Sequence, residues 1–176
     1  MNNGKSEIFD IAIIGAGPCG IAVAAEAKQK GLSAVMIDKG SVAESVRRYP
    51  KQMTFFSTAE NIAVGGVPFT INQPKATREE ALNYYRMVVH HHDLPVMLHQ
   101  KVEKVKRENN LFILNTSRGN VVKSKKLILA TGYFDVPRLL NIPGEDLPHV
   151  KHYYEEPYQY AFSKVVIVGG GNSAIG

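Results

Sequence analysis

The first 30 residues contain, after a polar start, a short apolar run, a glycine-rich turn and an Ala-rich stretch. Residues 8–14 (IFDIAII) are rich in β-branched residues and predict a buried strand. Residues 21–30 predict a helix, because Ala favours helices, and Gly31 stands where helices commonly end. Residues 33–37 predict a second strand, which ends at Asp38. These features form one strand, turn, helix and strand unit of about 30 residues.

The middle of the chain changes from an irregular stretch to one helix and then to a series of strands. Residues 39–74 are punctuated by Pro and Gly and predict no long element. Thr77 and Glu80 form a capping-box pattern, which predicts the start of a helix that continues to about His92. Strands are then predicted at residues 96–98, 101–107, 111–116, 121–123 and 126–130.

A second strand-and-glycine pattern lies at the end of the sequence. Residues 164–168 predict another buried strand, and residues 169–174 follow it with glycines at the spacing of the first turn. We therefore predict an α/β fold that begins with a Rossmann-like domain over residues 1–150, built from a parallel sheet and an antiparallel β meander. Residues 151–176 are expected to hold a linker and the first strand and turn of a second Rossmann-like domain.

Composition and charge exclude several classes of function. The chain of 176 residues is 44% hydrophobic and 21% charged, which is typical of a soluble globular protein. Its apolar runs are far shorter than the roughly 20 residues of a membrane span, and its polar N-terminus does not resemble a signal peptide. The net charge is +5, but the basic residues are scattered without stacking aromatics, so nucleic-acid binding is not expected. A single cysteine, Cys19, indicates a reducing cytoplasm.

The first glycine turn has the spacing that binds the pyrophosphate of a dinucleotide. Gly15 permits the tight turn, Gly17 leaves room for the phosphates, and Gly20 lets the helix pack closely on the strand. The phosphates would lie on the free amides at the positive end of the helix. Asp38 follows at nearly the spacing of an acid that binds the adenosine ribose. The spacing of the two turns does not by itself decide which cofactor binds at which turn.

Six segments of the chain together resemble one protein family. They are GAGPCG (15–20), YPKQMTFFS (49–57), GGVPF (65–69), ATGYF (130–134), EDLPHVKHYYEE (145–156) and GGGNSAI (169–175). In these segments the sequence is similar to the bacillithiol-disulfide reductases, thioredoxin-reductase-like flavoproteins with two dinucleotide-binding domains. The resemblance implies that FAD binds at the first turn and NADPH at the second, and that electrons pass from NADPH through FAD to a low-molecular-weight disulfide.

The same resemblance implies how much of the protein the sequence holds. Family members continue through the NADPH-binding domain and then return to complete the FAD-binding domain. The 176 residues are therefore expected to be an N-terminal portion that is inactive by itself. We expect the full-length protein to be a homo-oligomer.

Two sets of cofactor-binding residues follow from the motifs and the resemblance. The candidate FAD site contains Gly15, Gly17, Pro18, Cys19, Gly20, Asp38, Lys39, Phe56, Ser57, Val102, Ala130, Thr131 and Gly132. The candidate NADPH site contains Gly169, Gly171, Asn172, Ser173 and Ala174. Phe55, Phe56 and Ser57 either line the flavin ring or belong to an ordinary core, and Lys39 faces either adenosine or solvent.

Cys19 is the candidate catalytic residue. It stands at the start of the first predicted helix, where free amides and the helix dipole stabilise a thiolate. The family carries a cysteine at this place, close to the flavin, so a disulfide would be reduced near Cys19. The alternative is that Cys19 is a small residue that only packs against the FAD.

The motifs leave two alternative functions open, and a run of histidines raises the question of a metal site. A flavin-containing monooxygenase shares the GGGNSA segment, but its FxGxxxH fingerprint is missing, since Asp146 and Pro148 stand where Phe and Gly would precede His152. A non-catalytic flavin-binding module is the second alternative. A metal site is not expected at the three consecutive histidines 90–92, because neighbouring helical residues point about 100° apart. Tyr153, Tyr154, Tyr158 and Tyr160 are expected to pack the segment between the two domains.

Overall fold

A six-stranded sheet carries the described part of the chain, residues 7–171 and 174, in this computed structural model. Its strands are β1 (Ile8–Ile14), β2 (Ala34–Ile37), β3 (Val96–Met97), β4 (Val102–Glu108), β5 (Leu111–Thr116) and β6 (Val121–Leu129). Their order across the sheet is β3-β2-β1-β6-β5-β4. The strands β1, β2, β3 and β6 are parallel, whereas β4 and β5 form an antiparallel meander that returns into β6. The predicted fold class is therefore confirmed.

Within residues 7–171, four helices and one 3₁₀ turn accompany the sheet. They are α1 (Pro18–Gln29), α2 (Glu44–Arg47), α3 (Ala59–Ile62), α4 (Arg78–His91) and the 3₁₀ turn Pro157–Tyr160. The short helices α2 and α3 lie in the stretch that was predicted to be irregular. Within residues 7–171, no helix combines the length and the apolar character that crossing a membrane requires.

Strict alternation of side chains on the central strands builds two apolar layers. Ile13 of β1 and Met36 of β2 lie in the main core, together with buried residues of α1 and α4. Ala12 and Val35, which are neighbours of these residues in sequence, lie on the opposite face and pack with Leu114 of the meander. Because successive strand residues point to opposite faces, a parallel strand covered on both sides is apolar on both faces, as β2 and residues 11–14 of β1 are.

The start of α4 confirms the predicted capping box. The Thr77 hydroxyl accepts a hydrogen bond from the Glu80 amide at 3.2 Å, and the Glu80 carboxylate accepts one from the Thr77 amide at 2.8 Å. Two amides that the helix cannot satisfy internally thus find partners, which fixes the position where α4 begins.

The break predicted between two strands and the strand predicted at residues 164–168 were both wrong. The strands predicted at 121–123 and 126–130 are one continuous strand, β6, whose first residues pair with β5 and whose later residues pair with β1. Residues 164–168 were predicted to be a buried strand, but they form no strand, and Val166 and Val168 are 87% and 73% exposed. A strand needs a neighbour for its backbone hydrogen bonds, and residues 7–163 do not supply one to this segment.

Candidate functional site

The turn between β1 and α1 is a close contact of three backbone segments. The Gly15 amide donates to the Ile37 carbonyl at 2.8 Å, and Gly15 has φ +116°. A Cβ at Gly15 would overlap the carbonyl oxygen of Ala130, and one at Gly20 would overlap the carbonyl oxygen of Gly15. Both positions therefore require glycine, for the reasons that the sequence motif predicts: a tight turn and close packing of helix on strand.

Gly17 differs from the other two glycines, because the space in front of it is open. It is the N-cap residue of α1, and a Cβ at this position would meet no atom within 4 Å. No side chain caps the helix, and its first turn contains no acidic residue. The unpaired amides and the positive end of α1 thus face an open space, which fits a bound pyrophosphate group.

Asp38 lies at the end of β2, directly beside this turn. Its Oδ2 accepts a hydrogen bond from the Ala16 amide at 2.7 Å, and its Oδ1 accepts one from the Gly40 amide at 2.8 Å. The half-buried carboxylate therefore holds the turn in place. Each carboxylate oxygen has two lone pairs, so both retain the capacity to accept a ribose hydroxyl. The acid that the motif predicts is suitably placed for the adenosine side of a dinucleotide.

The segment after β6 and Gln100, which precedes β4, are each hydrogen-bonded to the backbone at the carboxyl end of a parallel strand. The Ala130 amide donates to the Ile14 carbonyl at 2.8 Å, and Thr131 and Gly132 are exposed beyond it. Val102, the first residue of β4, is half-buried. It lies two residues after Gln100, whose amide donates to the Asp38 carbonyl at 2.9 Å. Residues from four distant parts of the sequence are thus gathered around the first glycine turn.

Cys19 is exposed in the first turn of α1 and borders an apolar pocket of about 340 Å³. Tyr85 lies on the pocket wall, and its hydroxyl donates to the Ile62 carbonyl at 3.2 Å. Burial raises the pKa of Tyr85, so this phenol stays neutral. The other lining residues are Pro18, Ala22, Phe55, Asn61, Ile62 and Val64. The thiol therefore has access both to solvent and to an apolar surface.

The aromatic segment before α3 divides into two environments. Phe55 packs against the main core and lines the Cys19 pocket. Phe56 is 68% exposed, and Ser57 is exposed beside it. Of Phe55, Phe56 and Ser57, only Phe55 thus lines the pocket. The predicted FAD site contains Phe56 and Ser57 but not Phe55.

Lys39 is paired with Asp135 in the structure, an arrangement that the sequence did not indicate. The Lys39 ammonium lies 2.6 Å from Asp135 Oδ2, and the Arg48 guanidinium lies 2.6 Å from Asp135 Oδ1. Arg48 and Asp135 are 87 residues apart. Sequence reasoning missed both residues, because nothing in a local pattern indicates an ion pair over that separation.

The connector, defined here as residues 133–156, contains the first two of the four predicted packing tyrosines. The Tyr153 ring packs against the Phe134 ring with centroids 5.0 Å apart, and its hydroxyl donates to the Phe134 carbonyl at 2.7 Å. Tyr154 stacks on Tyr160 at 6.0 Å, whereas Tyr158 is 76% exposed. Three of the four tyrosines therefore make the packing contacts that were expected of them.

The backbone of the second glycine turn is exposed and has open space around it. Gly169 and Gly171 are exposed, and a Cβ at either position would meet no atom within 4 Å. The Ala174 amide donates to the Gly171 carbonyl at 2.9 Å. Asn172 and Ser173 lie outside the described residues. The open backbone at these glycines suits the approach of a ligand.

The short helix α2 is hydrogen-bonded to the first glycine turn and carries the ion pair between Glu44 and Arg47. The Ala43 amide, at the N-cap of α2, donates to the Ala16 carbonyl at 2.9 Å. A hydrogen bond from Arg47, supported by bonds from the Ser41 amide and hydroxyl, lowers the pKa of Glu44 from 4.5 to about 2. The loop beside the glycine turn is therefore held by an ionised glutamate at neutral pH.

Two of the three histidines at the end of α4, His91 and His92, have structural contacts. The His92 Nε2 lies 2.8 Å from the Gly65 carbonyl oxygen, and the rings of His91 and His92 meet edge to face at 4.8 Å. Among the residues that the structure describes, no group of His, Cys, Asp and Glu is arranged to hold a metal ion.

Comparisons with known proteins agree with this geometry. The family model for pyridine nucleotide-disulphide oxidoreductases matches residues 12–176. Bacilliredoxin reductase Bdr of Bacillus subtilis is 43% identical over 93% of this chain and 50% of its own length. The chain thus spans about half the length of the curated relatives it matches.

Solved structures extend this similarity to three dimensions. The structure of bacillithiol disulfide reductase Bdr from Staphylococcus aureus has a TM-score of 0.93 at 43% identity, covering 96% of this chain and 52% of that one. Its counterpart from Bacillus cereus has a TM-score of 0.84 at 36% identity, with coverages of 88% and 49%. The resemblance found in the six sequence segments is confirmed, and the chain belongs to the pyridine nucleotide-disulphide oxidoreductase family.

Proposed function

We propose that this chain supplies the first part of an NADPH-dependent FAD enzyme that reduces a disulfide. Residues 1–150 would form the FAD-binding part, and residues 151–176 would lead into the NADPH-binding part. The observation that carries the proposal is the open space at Gly17 between the uncapped start of α1 and the Asp38 carboxylate. The two Bdr proteins of known structure are bacillithiol disulfide reductases, which supports the same reaction.

Different residues of the first site would bind different parts of FAD. The amides at the start of α1 would bind the pyrophosphate, and the Asp38 oxygens would accept the ribose hydroxyls. The backbone of Val102 would face the adenine, because its strand begins next to the Asp38 carbonyl. Ala130, Thr131 and Gly132 would border the cofactor from the end of β6. When bound, FAD would supply two-electron transfer between the nicotinamide and a disulfide.

The second site would bind the nicotinamide nucleotide through its own glycine turn. The backbones of Gly169 and Gly171 are free of side chains and neighbours, which suits the approach of a pyrophosphate. Asn172, Ser173 and Ala174 would complete this turn at the start of the following helix. The proposal of NADPH for this site follows the family resemblance.

Cys19 would act on the substrate as a single thiol. Its thiolate would attack one sulfur of the disulfide R–S–S–R′, forming a Cys19–S–S–R bond and releasing R′–S⁻. Two electrons and one proton would then release R–SH and restore the Cys19 thiolate. The sequence contains no other cysteine, so within this chain an intramolecular disulfide cannot replace the mixed one. We propose a low-molecular-weight thiol disulfide such as bacillithiol disulfide as the substrate, in the reducing cytoplasm.

The complete protein that carries this chain provides the test. We expect it to purify yellow with FAD, to be reduced anaerobically by NADPH, and to oxidise NADPH in proportion to added bacillithiol disulfide. A colourless protein would contradict the FAD site. NADPH oxidation that depends on dioxygen, with no response to any disulfide, would instead support the monooxygenase alternative. A matched panel of cystine, glutathione disulfide and bacillithiol disulfide identifies the substrate among low-molecular-weight disulfides.

A further inference from the structure

Arg48 lies where the two ends of the connector meet. Its guanidinium carbon is 5.6 Å from the centre of the Phe134 ring and 5.2 Å from the centre of the Tyr153 ring. Its Nη1 donates to Asp135 Oδ1 at 2.6 Å. A planar cation is attracted to aromatic faces and to a carboxylate at the same time. One side chain from the first half of the chain thus contacts both the beginning and the end of the connector.

Near Arg48, the Phe134 end of the connector also contacts its Tyr153 end. The Tyr153 hydroxyl donates to the Phe134 carbonyl at 2.7 Å, and Tyr49 meets the Phe134 ring edge to face at 4.9 Å. The residues between Phe134 and Tyr153 therefore form a loop whose two ends are adjacent. Because Arg48 sits at this closure, displacing it would loosen both ends together.

Two further attachments hold the connector to the stretch that follows Asp38. The Lys39 ammonium lies 2.6 Å from Asp135. The Lys51 amide donates to the Glu155 carbonyl at 3.1 Å, and its ammonium lies 3.0 Å from Glu156. Each of these ion pairs is partly exposed and weak by itself. Arg48 differs from both lysines because it alone of the three stacks on the aromatic pair.

We infer that Arg48 is a positioning residue that fixes how the second glycine turn stands relative to the first, an inference that rests on the proposed function. The connector is the first part of the covalent route from Gly132 to Gly169, which residues 157–168 complete. Transfer between two bound cofactors requires the reacting atoms to approach within about 3–3.5 Å, and an error of about 1 Å can cost about 100-fold in rate. Arg48 limits such errors by holding both ends of the connector on the FAD-binding half.

Backbone hydrogen exchange of the complete protein tests the contact itself, without any need for cofactor chemistry. Arg48→Met removes the charge and the planar group at similar length, and Arg118→Met, on the exposed β5–β6 turn, is the matched control. We expect amides of the connector to exchange at least about tenfold faster in Arg48→Met and at the wild-type rate in Arg118→Met. Equal exchange in both variants would overturn the inference.

Single-turnover kinetics test the positioning role. Arg48→Met is expected to keep its FAD and its rate of reduction by dithionite, a small reductant that does not use the second turn. Its reduction by NADPH should fall about 10- to 100-fold. Arg48→Lys should recover part of the rate, because an ammonium still pairs with Asp135 but cannot stack as a planar group. An unchanged NADPH rate in a variant with faster exchange would overturn the positioning role.

A second variant covers the case in which Arg48→Met does not fold. Tyr153→Phe removes only the hydroxyl that closes the connector, and it should change both measurements in the same direction by a smaller factor. No change in either measurement would again overturn the inference. A wild-type protein that binds no FAD, or is not reduced by NADPH, would contradict the proposed function, whereas hydrogen exchange would still report on Arg48.

Discussion

The backbone of Gly15 lies against the carbonyl group of Ala130 so closely that no side chain fits between them. A Cβ at Gly15 would lie 2.7 Å from the Ala130 carbonyl carbon and would overlap its oxygen. The end of β6 and the turn after β1 are therefore parts of one site, although they are distant in sequence.

Gly15→Ala is expected to destabilise the folded protein by at least about 3 kcal/mol, from backbone strain at φ +116° and overlap with Ala130. Urea unfolding measures this loss. Gly119→Ala is the control, because Gly119 also has a positive φ, +78°, but its Cβ would meet open space. The control should lose only about 1–2 kcal/mol. Equal losses in the two variants would contradict the close contact.

Gly17→Val is expected to leave folding nearly unchanged but to abolish FAD retention. Gly17 has φ −81°, which any residue adopts, and its Cβ would meet no protein atom within 4 Å. The valine side chain would instead occupy the space in front of the α1 amides. We expect a change in unfolding free energy within about 1 kcal/mol and a loss of FAD affinity of at least about 100-fold. A folded variant that keeps its flavin would show that the cofactor lies elsewhere.

Cys19→Ala is expected to retain FAD and its reduction by NADPH, because neither process uses the thiol. Disulfide turnover should fall to about 1% of wild type or less. Cys19→Ser, which keeps the size of the side chain, should be equally impaired. Mass spectrometry of the wild-type protein treated with disulfide should detect a mixed disulfide at Cys19. Unchanged turnover in Cys19→Ala would mean that this residue only packs beside the cofactor.

Glu44→Gln tests the charged loop beside the glycine turn. The Arg47 hydrogen bond lowers the pKa of Glu44 to about 2, so its carboxylate contributes stability that is complete above about pH 4.5 and lost as the pH falls toward 2. The variant should be about 1 kcal/mol less stable than wild type at pH 7. This difference should shrink between pH 4.5 and pH 2.

Unfolding free energies measured across this pH range provide the check. Glu103→Gln, at an exposed position of β4, is the control and should follow the wild-type profile closely. A constant difference between Glu44→Gln and wild type from pH 7 to pH 2 would contradict the lowered pKa of Glu44.

Part of the site was predictable because its signals lie within a few residues of one another. The turn from β1 into α1 carries its glycines at fixed spacing, and Asp38 ends the next strand. Two contacts of the site could not be predicted from the sequence pattern. One is the hydrogen bond by which the Asp38 carboxylate holds the turn at Ala16, and the other is the position of Phe55, rather than Phe56, in the pocket beside Cys19.

Local signals are enough to predict the β1–α1–β2 unit and the start of α4, because the periodicity and the capping groups of each element lie within a few residues. The tertiary structure was needed to show that β6 is one strand paired with two neighbours, and that Asp135 forms ion pairs with both Lys39 and Arg48. It also decided that the apolar run 164–168 is not a strand. The physical reason is the same in each case: strand pairing and ion pairing need a partner in space, and the apolar pattern of a segment does not say whether that partner is present.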